Sequence, residues 1–367
     1  MAKQQAVTDI LRQYHPVPDR FDELGTEGSG PKSHWRPLLQ QLNLESVAGL
    51  NLRAQAVSNA IAEDGVTYNV YEDPRGDTRP WEVDLLPLVL GADEWQWLSK
   101  AVAQRAELLD SVLADLYGEQ SLLKEGLMPP ALVYGQAGFQ WPCQGIQPAG
   151  GRFLHLYAVD LARAPDGGWW VMADRTQAPS GAGYALQNRL VISRAFPAPF
   201  HNLPVTNLSE FFQGFQNSLA GMSPAGTESP LCVLLTPGRF NETYFEHVFL
   251  ARYLGLPLVE GQDLTVRDDT VYLKTLQGLR RVHAIYRRLD DGFCDPLELR
   301  ADSVLAKRLP CATTSPRAIS LPLTIISNGS SVSRSSSITL DSPSARTSRR
   351  RIFFRPSSTV RRTSISW

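Results

Sequence analysis

Two aspartates and two arginines lie in neighbouring segments whose residues favour a β-hairpin. The segments FLHLYAVDLAR and WWVMADR are β-prone, and APDGG between them is typical of a turn. If the register of the hairpin is even, Asp160 and Asp174 lie on one face. Together with Arg163 and Arg175 they could bind a divalent metal and phosphate, because metals prefer carboxylate oxygens and phosphates prefer guanidinium groups. A surface ladder of ion pairs explains the same four residues at least as well.

A glycine-containing loop follows the second of these segments, in DRTQAPSGAGYALQNR. Gly181 and Gly183 flank one small residue, so backbone amides can approach an anion closely, and Ser180 adds a hydroxyl donor. Asn188 and Arg189 follow in the next run and add further polar groups. We therefore predict a cofactor-binding loop made of Ser180, Gly181, Gly183 and Tyr184. An elaborate turn that binds no ligand is the alternative.

A β-loop-α-β unit is predicted from Pro230 onward. LCVLL has the pattern of a buried strand, TPG turns the chain, Asn241 can cap a helix through Tyr253, and LPLVEG supplies another strand. Such units build parallel sheets, which bind ligands at the carboxyl ends of their strands. The substrate-binding candidates in this unit are Thr236, Gly238, Asn241, Glu242 and His247. For His247 alone, a structural role inside the helix is the better interpretation.

Two further arginines end the last predicted strand. Arg287 and Arg288 precede a group of three aspartates, Asp290, Asp291 and Asp295. A strand that ends in such a cluster could face the same cleft as the β-loop-α-β unit. A solvated network of salt bridges is an equally good explanation.

The elements around these candidates indicate a water-soluble globular scaffold. Apolar residues at helical spacing from Trp97 to Tyr117 predict a packed amphipathic helix, with Gly118 as its stop. The 367 residues carry a formal net charge of -1, which gives no bias toward nucleic acid. No apolar run approaches the ~20 residues of a membrane span, and the first residues lack a signal-peptide pattern. We therefore expect a cytoplasmic protein without membrane association.

The composition changes abruptly after residue 305. Beyond Lys307 the chain contains neither lysine nor glutamate, while serine, threonine and arginine crowd together. Such a segment cannot bury enough apolar surface to offset the entropy lost on ordering, so residues 306–367 are predicted to be a disordered tail. We interpret the tail as a reading-frame shift, with a genuine regulatory or nucleic-acid-binding arm as the alternative.

The longer motifs of the chain resemble those of the circularly permuted type 2 ATP-grasp family. The resemblance extends from about residue 15 to Leu305 and is carried by GVTYNVY, RPWEVD, QRAELLDSVLADLYG, YAVDLAR, DRTQAPSGAGYALQNR, LLTPGRFNETYFEHVFLARYLGLPLVEGQDLTV and RRLDDGFCDPLELRADS. It implies an α/β (α+β) fold, with a permuted ATP-grasp-like portion and a helical amino-terminal region in residues 1–225. Residues 226–305 would form a pre-ATP-grasp-like β/α unit containing a parallel sheet.

The resemblance also implies an activity, cofactors and residue roles. Family members resemble ligases that use ATP and Mg²⁺ to join a carboxylate to an amine through an acyl phosphate. By this analogy Asp174 would bind the metal with Asp160 or Asn188, although this chain has Asp174-x-Thr176 where the ordinary motif is Glu-x-Asn. Arg163, Arg175 and Arg189 would act as catalytic residues that neutralise the transferred phosphoryl group. The unit from Pro230 would bind the carboxylate or amine substrate, which could be a peptide.

The same resemblance predicts an impaired protein. In the family, the chain after LRADS continues into glycine-rich and asparagine- and glutamate-containing stretches that should supply the remaining nucleotide-binding half, and this sequence lacks them. A ligase needs both walls of its cleft to exclude water and to align the γ-phosphate. The alternatives are a noncatalytic nucleotide- or peptide-binding scaffold and a nucleic-acid-associated protein acting through its arginine-rich tail, although no specific nucleic acid is expected.

Overall fold

The computed structural model describes residues 14–26, 30–42, 47–69, 78–136, 138–223, 229–268, 270–289 and 363–366. The α-helices are α1 Trp35–Gln41, α2 Val47–Glu63, α3 Ala92–Tyr117, α4 Ser121–Lys124, α5 Pro130–Tyr134, α6 Ala182–Ala195, α7 Pro197–Asn202, α8 Ser209–Gly221 and α9 Tyr244–Leu254. The strands are β1 Gly25–Thr26, β2 Gly30–Pro31, β3 Thr67–Asn69, β4 Thr78–Pro80, β5 Ala158–Arg163, β6 Trp169–Arg175, β7 Cys232–Leu235, β8 Leu258–Val259, β9 Leu264–Arg267, β10 Thr270–Thr275, β11 Gly278–Arg281, β12 Ala284–Arg287 and β13 Thr363–Ser366. This mixture of helices and sheets confirms the predicted fold class.

A helical layer forms the amino-terminal part of the described chain. Helices α1 and α2 pack against α6 and α7 around one apolar cluster. Val57 and Ile61 of α2 are four residues apart, so they share one face of the helix and meet Val191 and Phe196 in that cluster. The described residues of this region therefore contain two helices that share one apolar cluster with α6 and α7, and the predicted domain bounds stay a prediction.

The amphipathic helix predicted from Trp97 to Tyr117 lies within α3. Leu98 and Val102 are buried at helical spacing and share an apolar cluster with Val159 and Leu161 of β5. Gly118 follows as the carboxyl-terminal cap. Helix α3 thus packs against the hairpin that carries the predicted charged residues.

Strands β5 and β6 form the predicted antiparallel hairpin. The turn is closed by a hydrogen bond of 2.8 Å from Ala164 N to Gly168 O. Gly167 adopts a φ of +87°, a conformation that glycine reaches without strain. The APDGG segment therefore forms the turn that its residue types predicted.

A parallel sheet in the order β12–β7–β8 lies between two apolar layers. Alternate residues of β7 belong to different clusters, Leu234 to one and Val233 to the other. Helices α6, α8 and α9 contribute to the first cluster, and the antiparallel sheet β9–β10–β11 contributes to the second. The β7–α9–β8 connection confirms the predicted β-loop-α-β unit.

The first of these clusters contains residues from both sides of the predicted boundary at 225/226. Leu186 and Phe215 come from the segment before the boundary, and Leu234 and Leu250 come from the segment after it. The units predicted for residues 1–225 and 226–305 therefore share a hydrophobic core.

Within the described ranges, no helix is both long enough and apolar enough to cross a membrane. Of the predicted tail, 306–367, the structure describes only β13, which pairs antiparallel with β5. The rest of that tail lies outside the described residues, as do Asp290, Asp291 and Asp295.

Candidate functional site

The carboxyl ends of the three parallel strands lie at one level of the sheet. Leu235 is the last residue of β7 and pairs with the last residues of its two neighbours, Arg287 and Val259. The residues that follow the three strands, which we call the sheet edge, are Arg288, Thr236 and Glu260. Because ligands of parallel sheets bind beyond the carboxyl ends of the strands, this edge is where the predicted substrate residues should meet.

A continuous hydrogen-bond network surrounds His247 beside the sheet edge. Gly238 N donates to Thr236 Oγ1 at 3.1 Å, so the Thr236 hydroxyl proton can point to His247 Nδ1, 2.9 Å away. On the other side of the ring, Thr243 Oγ1 donates to Asn241 Oδ1 at 3.0 Å. Thr243 Oγ1 therefore accepts from His247 Nε2, at 3.1 Å. These directions assign His247 to the neutral tautomer with its proton on Nε2.

His247 is buried in the interior next to a fixed positive charge. Burial, together with the charge of Arg288, lowers the pKa of His247 to about 2. The imidazole consequently stays neutral at physiological pH and joins the loop after β7 to helix α9. This arrangement agrees with the structural interpretation of His247, and its use as a substrate ligand stays a prediction.

The start of α9 differs from the predicted cap. The helix begins at Tyr244 with Thr243 at the N-cap position, and no side chain caps it through a hydrogen bond. Asn241 Oδ1 instead accepts from Thr243 N at 2.9 Å, which forms a local turn before the helix. The helix thus begins later than predicted, and Asn241 belongs to the turn that precedes it.

Glu242 lies on the surface at this turn and accepts a hydrogen bond of 3.2 Å from the Tyr68 hydroxyl. Partial burial, together with the negative charge of Glu242, raises the pKa of Tyr68. Gly238 has a φ of +101°, and a Cβ built there would lie 3.0 Å from Glu260 Oε1. The turn after β7 thus contacts the sheet edge closely at Gly238.

The glycine loop, which we define as residues 178–183 and which includes the first two residues of α6, contacts an anion from within the protein. Gly181 N and Gly183 N donate to Glu246 Oε1 at 2.7 Å and 2.9 Å. Glu246 Oε2 accepts from Arg288 Nη2 at 2.8 Å, and both side chains are 1% exposed. Two of the amides predicted to bind a cofactor are therefore engaged by a carboxylate, whereas Ser180 is exposed to solvent.

Arg288 also contacts the carbonyl side of the glycine loop. Its Nη1 donates to Pro179 O at 2.6 Å, to Ala178 O at 3.0 Å and to the Tyr286 hydroxyl at 3.2 Å. Burial acts to lower the pKa of Arg288, but Tyr286 and Glu246 outweigh it and the pKa is raised. The guanidinium therefore remains charged, and it links β12 to the loop. Its neighbour Arg287 is buried at the end of β12.

The register of the hairpin places the two predicted metal ligands on opposite faces, so the expected shared face is not formed. Asp160 pairs with Ala173, whereas Asp174 pairs with Val159. Near the turn the strands are in even register, but a bulge between Asp160 and Leu161 leaves Met172 as an extra residue. One extra residue moves every following side chain of that strand to the other face, which separates the two aspartates.

Each aspartate is instead paired with an arginine. Asp174 accepts from Arg105 Nε and Nη2 at 2.7 Å and 2.8 Å, and from the Tyr157 hydroxyl at 2.5 Å. The hydrogen bond from Arg105 is the main cause of the lowered pKa of Asp174. On the other face, Asp160 accepts from Arg175 Nη2 at 2.7 Å. The hairpin thus has the ion pairs of the alternative interpretation.

The other two predicted catalytic arginines are engaged away from the glycine-loop amides. Arg163 Nε donates to Glu23 at 2.9 Å, and its guanidinium lies 4.0 Å from the centre of the Trp169 ring. Arg163 also pairs with Glu94. Arg189 Nη1 donates to Thr206 O at 2.8 Å, and burial lowers its pKa. These contacts fix local packing, and the catalytic roles of Arg163, Arg175 and Arg189 stay predictions.

Asn188 and Tyr184 contact the same tryptophan from helix α6. Trp81 Nε1 donates to Asn188 Oδ1 at 2.8 Å, and the Trp81 and Tyr184 rings stack with their centres 4.3 Å apart. The Tyr184 hydroxyl donates to Thr67 O at 2.8 Å, and burial raises its pKa. Asn188 therefore binds an indole in this structure, and its assignment as a metal ligand stays a prediction.

Glu246 and Glu260 are the main site residues that the sequence interpretation missed. A signal for Glu246 existed, because it is four residues before Leu250 and eight before Leu254, on the buried stripe of α9. Glu260 directly follows β8. A charged residue at the carboxyl end of a parallel strand was the sequence signal for its place in the site.

The described residues contain no cluster of three or more His, Cys, Asp or Glu side chains that could hold a metal ion. At the hairpin no such cluster forms, because the bulge places Asp160 and Asp174 on opposite faces. At the sheet edge, Glu246 is neutralised by Arg288. Metal binding by the predicted set Asp160, Asp174 and Asn188 therefore has no support from the positions of these side chains.

Comparisons with known proteins identify relatives along most of the chain. Residues 87–312 match the family described as circularly permuted ATP-grasp type 2. The uncharacterized protein sll0335 of Synechocystis sp. is 37% identical over 295 residues, which are 80% of this chain and 61% of that protein. The uncharacterized protein Rv2567 of Mycobacterium tuberculosis is 39% identical over 293 residues, 78% of this chain and 33% of that protein. This chain thus spans only part of the relatives it matches.

One solved structure with a partial likeness is a glutathione synthetase like-effector (GSS30) from Globodera pallida in its apoform. Its TM-score is 0.40 at 12% sequence identity, and the match covers 72% of this chain and 62% of that one. The family match contains both the glycine loop and the sheet edge, and it bears out the resemblance carried by the sequence motifs. The chain belongs to the circularly permuted ATP-grasp type 2 family.

Proposed function

We propose that this chain is part of an ATP-dependent ligase that joins a carboxylate to an amine, and that the sheet edge contributes to its binding site for the non-nucleotide substrate. The observation that carries the proposal is the convergence of Arg288, Thr236 and Glu260 at the carboxyl ends of three parallel strands. This edge lies inside the segment that matches the ATP-grasp family.

The chemistry of the edge suits a substrate with both a carboxylate and a polar backbone or amine. Arg287 provides a guanidinium group at the end of β12, and guanidinium groups recognise carboxylates through paired hydrogen bonds. Its neighbour Arg288 binds Glu246 and holds the adjoining backbone in place. Glu260 supplies an opposite charge across the sheet, suitable for an amine. The turn after β7, residues 236–243, lies between these charges and would close around the substrate.

The described residues do not fit the metal that the family activity implies. Asp160 and Asp174 lie on opposite faces, and the glycine-loop amides are engaged by Glu246. When bound, ATP would supply the phosphoryl group that activates the carboxylate. Because this chain spans 61% of the Synechocystis relative, we propose the complete reaction, with its use of ATP and Mg²⁺, for the full-length family protein. A cytoplasmic location likewise remains a proposal.

Calorimetric titration of Mg²⁺-ATP tests the proposal on two proteins. The first is this full chain, and the second is the full-length Synechocystis relative. We expect binding by the relative and weaker or absent binding by this chain, because the cleft of a ligase needs both of its walls. Absence of binding by both proteins would overturn the nucleotide assignment.

A second candidate function is a noncatalytic scaffold that binds a nucleotide or a peptide. The observation that favours it is the pairing of Asp160 and Asp174 with arginines, together with the internal carboxylate at the glycine loop. A release assay for ADP and phosphate from Mg²⁺-ATP with a mixture of amino acids, applied to the relative, separates the two functions. Turnover that depends on amino acids supports the ligase, and binding without turnover supports the scaffold.

A further inference from the structure

We infer that Glu246 is a permanent internal ligand of the glycine loop, which occupies the position that the sequence assigned to a cofactor anion. The loop therefore connects helix α6 to the sheet edge instead of binding a phosphate. This inference concerns residues 178–183, Glu246 and Arg288, and it does not require the ligase reaction.

Three groups donate hydrogen bonds to the Glu246 carboxylate. Oε1 accepts the two amides of Gly181 and Gly183, and Oε2 accepts the guanidinium of Arg288. Two convergent backbone amides and an arginine are the donors that proteins use to bind phosphate or carboxylate groups. Both oxygens of Glu246 are thus bound as the oxygens of an external anion would be.

Both glycines have structural reasons that need no nucleotide. Gly181 has a φ of +123°, which side-chain-bearing residues rarely adopt. At Gly183, a Cβ would lie 2.8 Å from Glu246 Cγ and 3.3 Å from Leu250 Cγ. Gly183 is therefore required because helix α9 approaches the loop closely, and not because a phosphate does.

Displacing Glu246 from the loop would be energetically costly because the residue is buried. Its side chain and that of Arg288 are each 1% exposed, and Leu250 of the same helix lies in the apolar core. A phosphate that took the amides would leave Oε1 of Glu246 without its two donors and would place a second negative charge beside the buried carboxylate, which is strongly unfavourable. Arg288 also holds the carbonyls of Ala178 and Pro179, so the loop is fixed on both its amide and its carbonyl side.

Anion rescue of Glu246→Ala tests the inference. The variant removes the carboxylate but leaves its donors, so formate or acetate should bind in its place and stabilise the folded state. We expect the urea midpoint of the variant to fall, and to rise again toward saturation with formate. Wild type should respond to formate no more than to sodium chloride at equal ionic strength. An unchanged midpoint of the variant, or an equal response of both proteins, would overturn the inference.

A pair of glycine variants decides the case if Glu246→Ala does not fold. Gly183→Ala forces a contact with Glu246, whereas Gly214→Ala in helix α8 meets nothing within 4 Å. We expect Gly183→Ala to lower the ratio of folded to unfolded protein by about tenfold or more, as overpacking does. Gly214→Ala should be neutral or slightly stabilising. Equal stability of the two variants would contradict a fixed Glu246 beneath the loop.

Amide hydrogen exchange with and without Mg²⁺-ATP separates this inference from the proposed function. Exchange at Gly181 and Gly183 should be slow in wild type and unchanged by Mg²⁺-ATP, even if calorimetry shows that ATP binds elsewhere. A change confined to these two amides would overturn the inference while leaving a nucleotide-binding protein. Formate rescue, together with absence of ATP binding by both this chain and the Synechocystis relative, would support the inference and remove the proposed function.

Discussion

The hairpin β5–β6 and the sheet edge both pair arginine with a carboxylate, but at very different degrees of burial. At the hairpin, Arg175 is 53% exposed beside Asp160. At the sheet edge, Arg288 and Glu246 are each 1% exposed. Water and salt screen the exposed pair, whereas loss of one partner from the buried pair leaves a charge without compensation. The same residue types therefore form an exposed ion pair at the hairpin and hold a buried loop in place at the sheet edge.

The largest expected effect is that of Arg288→Met. This change removes the guanidinium and leaves the Glu246 carboxylate buried with the loop amides alone. We expect the free energy of unfolding to fall by about 3–5 kcal/mol, as when one partner of a buried ion pair is removed. Urea unfolding of wild type and of the variant measures this difference in the free energy of unfolding.

Arg175→Met is the matched control, because it removes the same group from an exposed pair. We expect a loss of about 0–1 kcal/mol in the same assay. Similar losses for the two variants would contradict the difference in burial between the hairpin and the sheet edge.

A smaller effect is expected from His247→Gln, and it should depend on pH. The folded pKa of about 2 lies below the ordinary value of 6.5, so unfolded His247 binds a proton that folded His247 does not. Its contribution to stability is therefore full above pH 6.5 and is lost as the pH falls toward 2. Between pH 6.5 and pH 5 the loss reaches about 2 kcal/mol, because a difference of one bound proton changes the free energy of unfolding by about 1.4 kcal/mol for each pH unit.

The measurement for His247 is the free energy of unfolding between pH 5 and pH 8. The slope for wild type below pH 6.5 should exceed that of His247→Gln by about one proton. Identical slopes would show that His247 can take up a proton while folded. A nitrogen NMR spectrum of the imidazole should also show the proton on Nε2.

The smallest effect is expected from Asp174→Asn at the hairpin. It weakens the partly exposed contact with Arg105 and Tyr157, so we expect a loss of about 1 kcal/mol or less. Because Asp160 lies on the opposite face, MgCl₂ should not stabilise wild type more than the variant. Stabilisation of wild type alone by MgCl₂ in urea unfolding would restore the hairpin as a metal site.

Local patterns were sufficient to predict several elements of the fold. The turn residues of APDGG predicted the hairpin, and apolar residues at helical spacing predicted the helix that ends at Tyr117. The strand and turn signals after Pro230 predicted the β7–α9–β8 unit. These patterns work because turn geometry and side-chain periodicity depend on residues close in sequence.

The register of the hairpin could not be predicted in the same way. The turn alone gives an even register with Asp160 and Asp174 on one face, and the bulge at Met172 reverses it. Tyr157, Val159 and Leu161 are buried on one side of β5, against helix α3. The extra residue in β6 depends on how β5 packs against helix α3. The sequence of one strand does not predict that packing.

The sequence by itself determined the family, the kinds of element and the edge of the sheet at which polar residues collect. Only the tertiary structure decided which charged groups meet. Glu246 reaches Gly181 across 65 positions of the chain, and Arg288 reaches Pro179 across 109. Nothing local relates such residues, because their partners are set by how α9 and β12 pack around α6. For that reason cofactor binding by the glycine loop stays a prediction, while the carboxylate that its amides contact was found only in the fold.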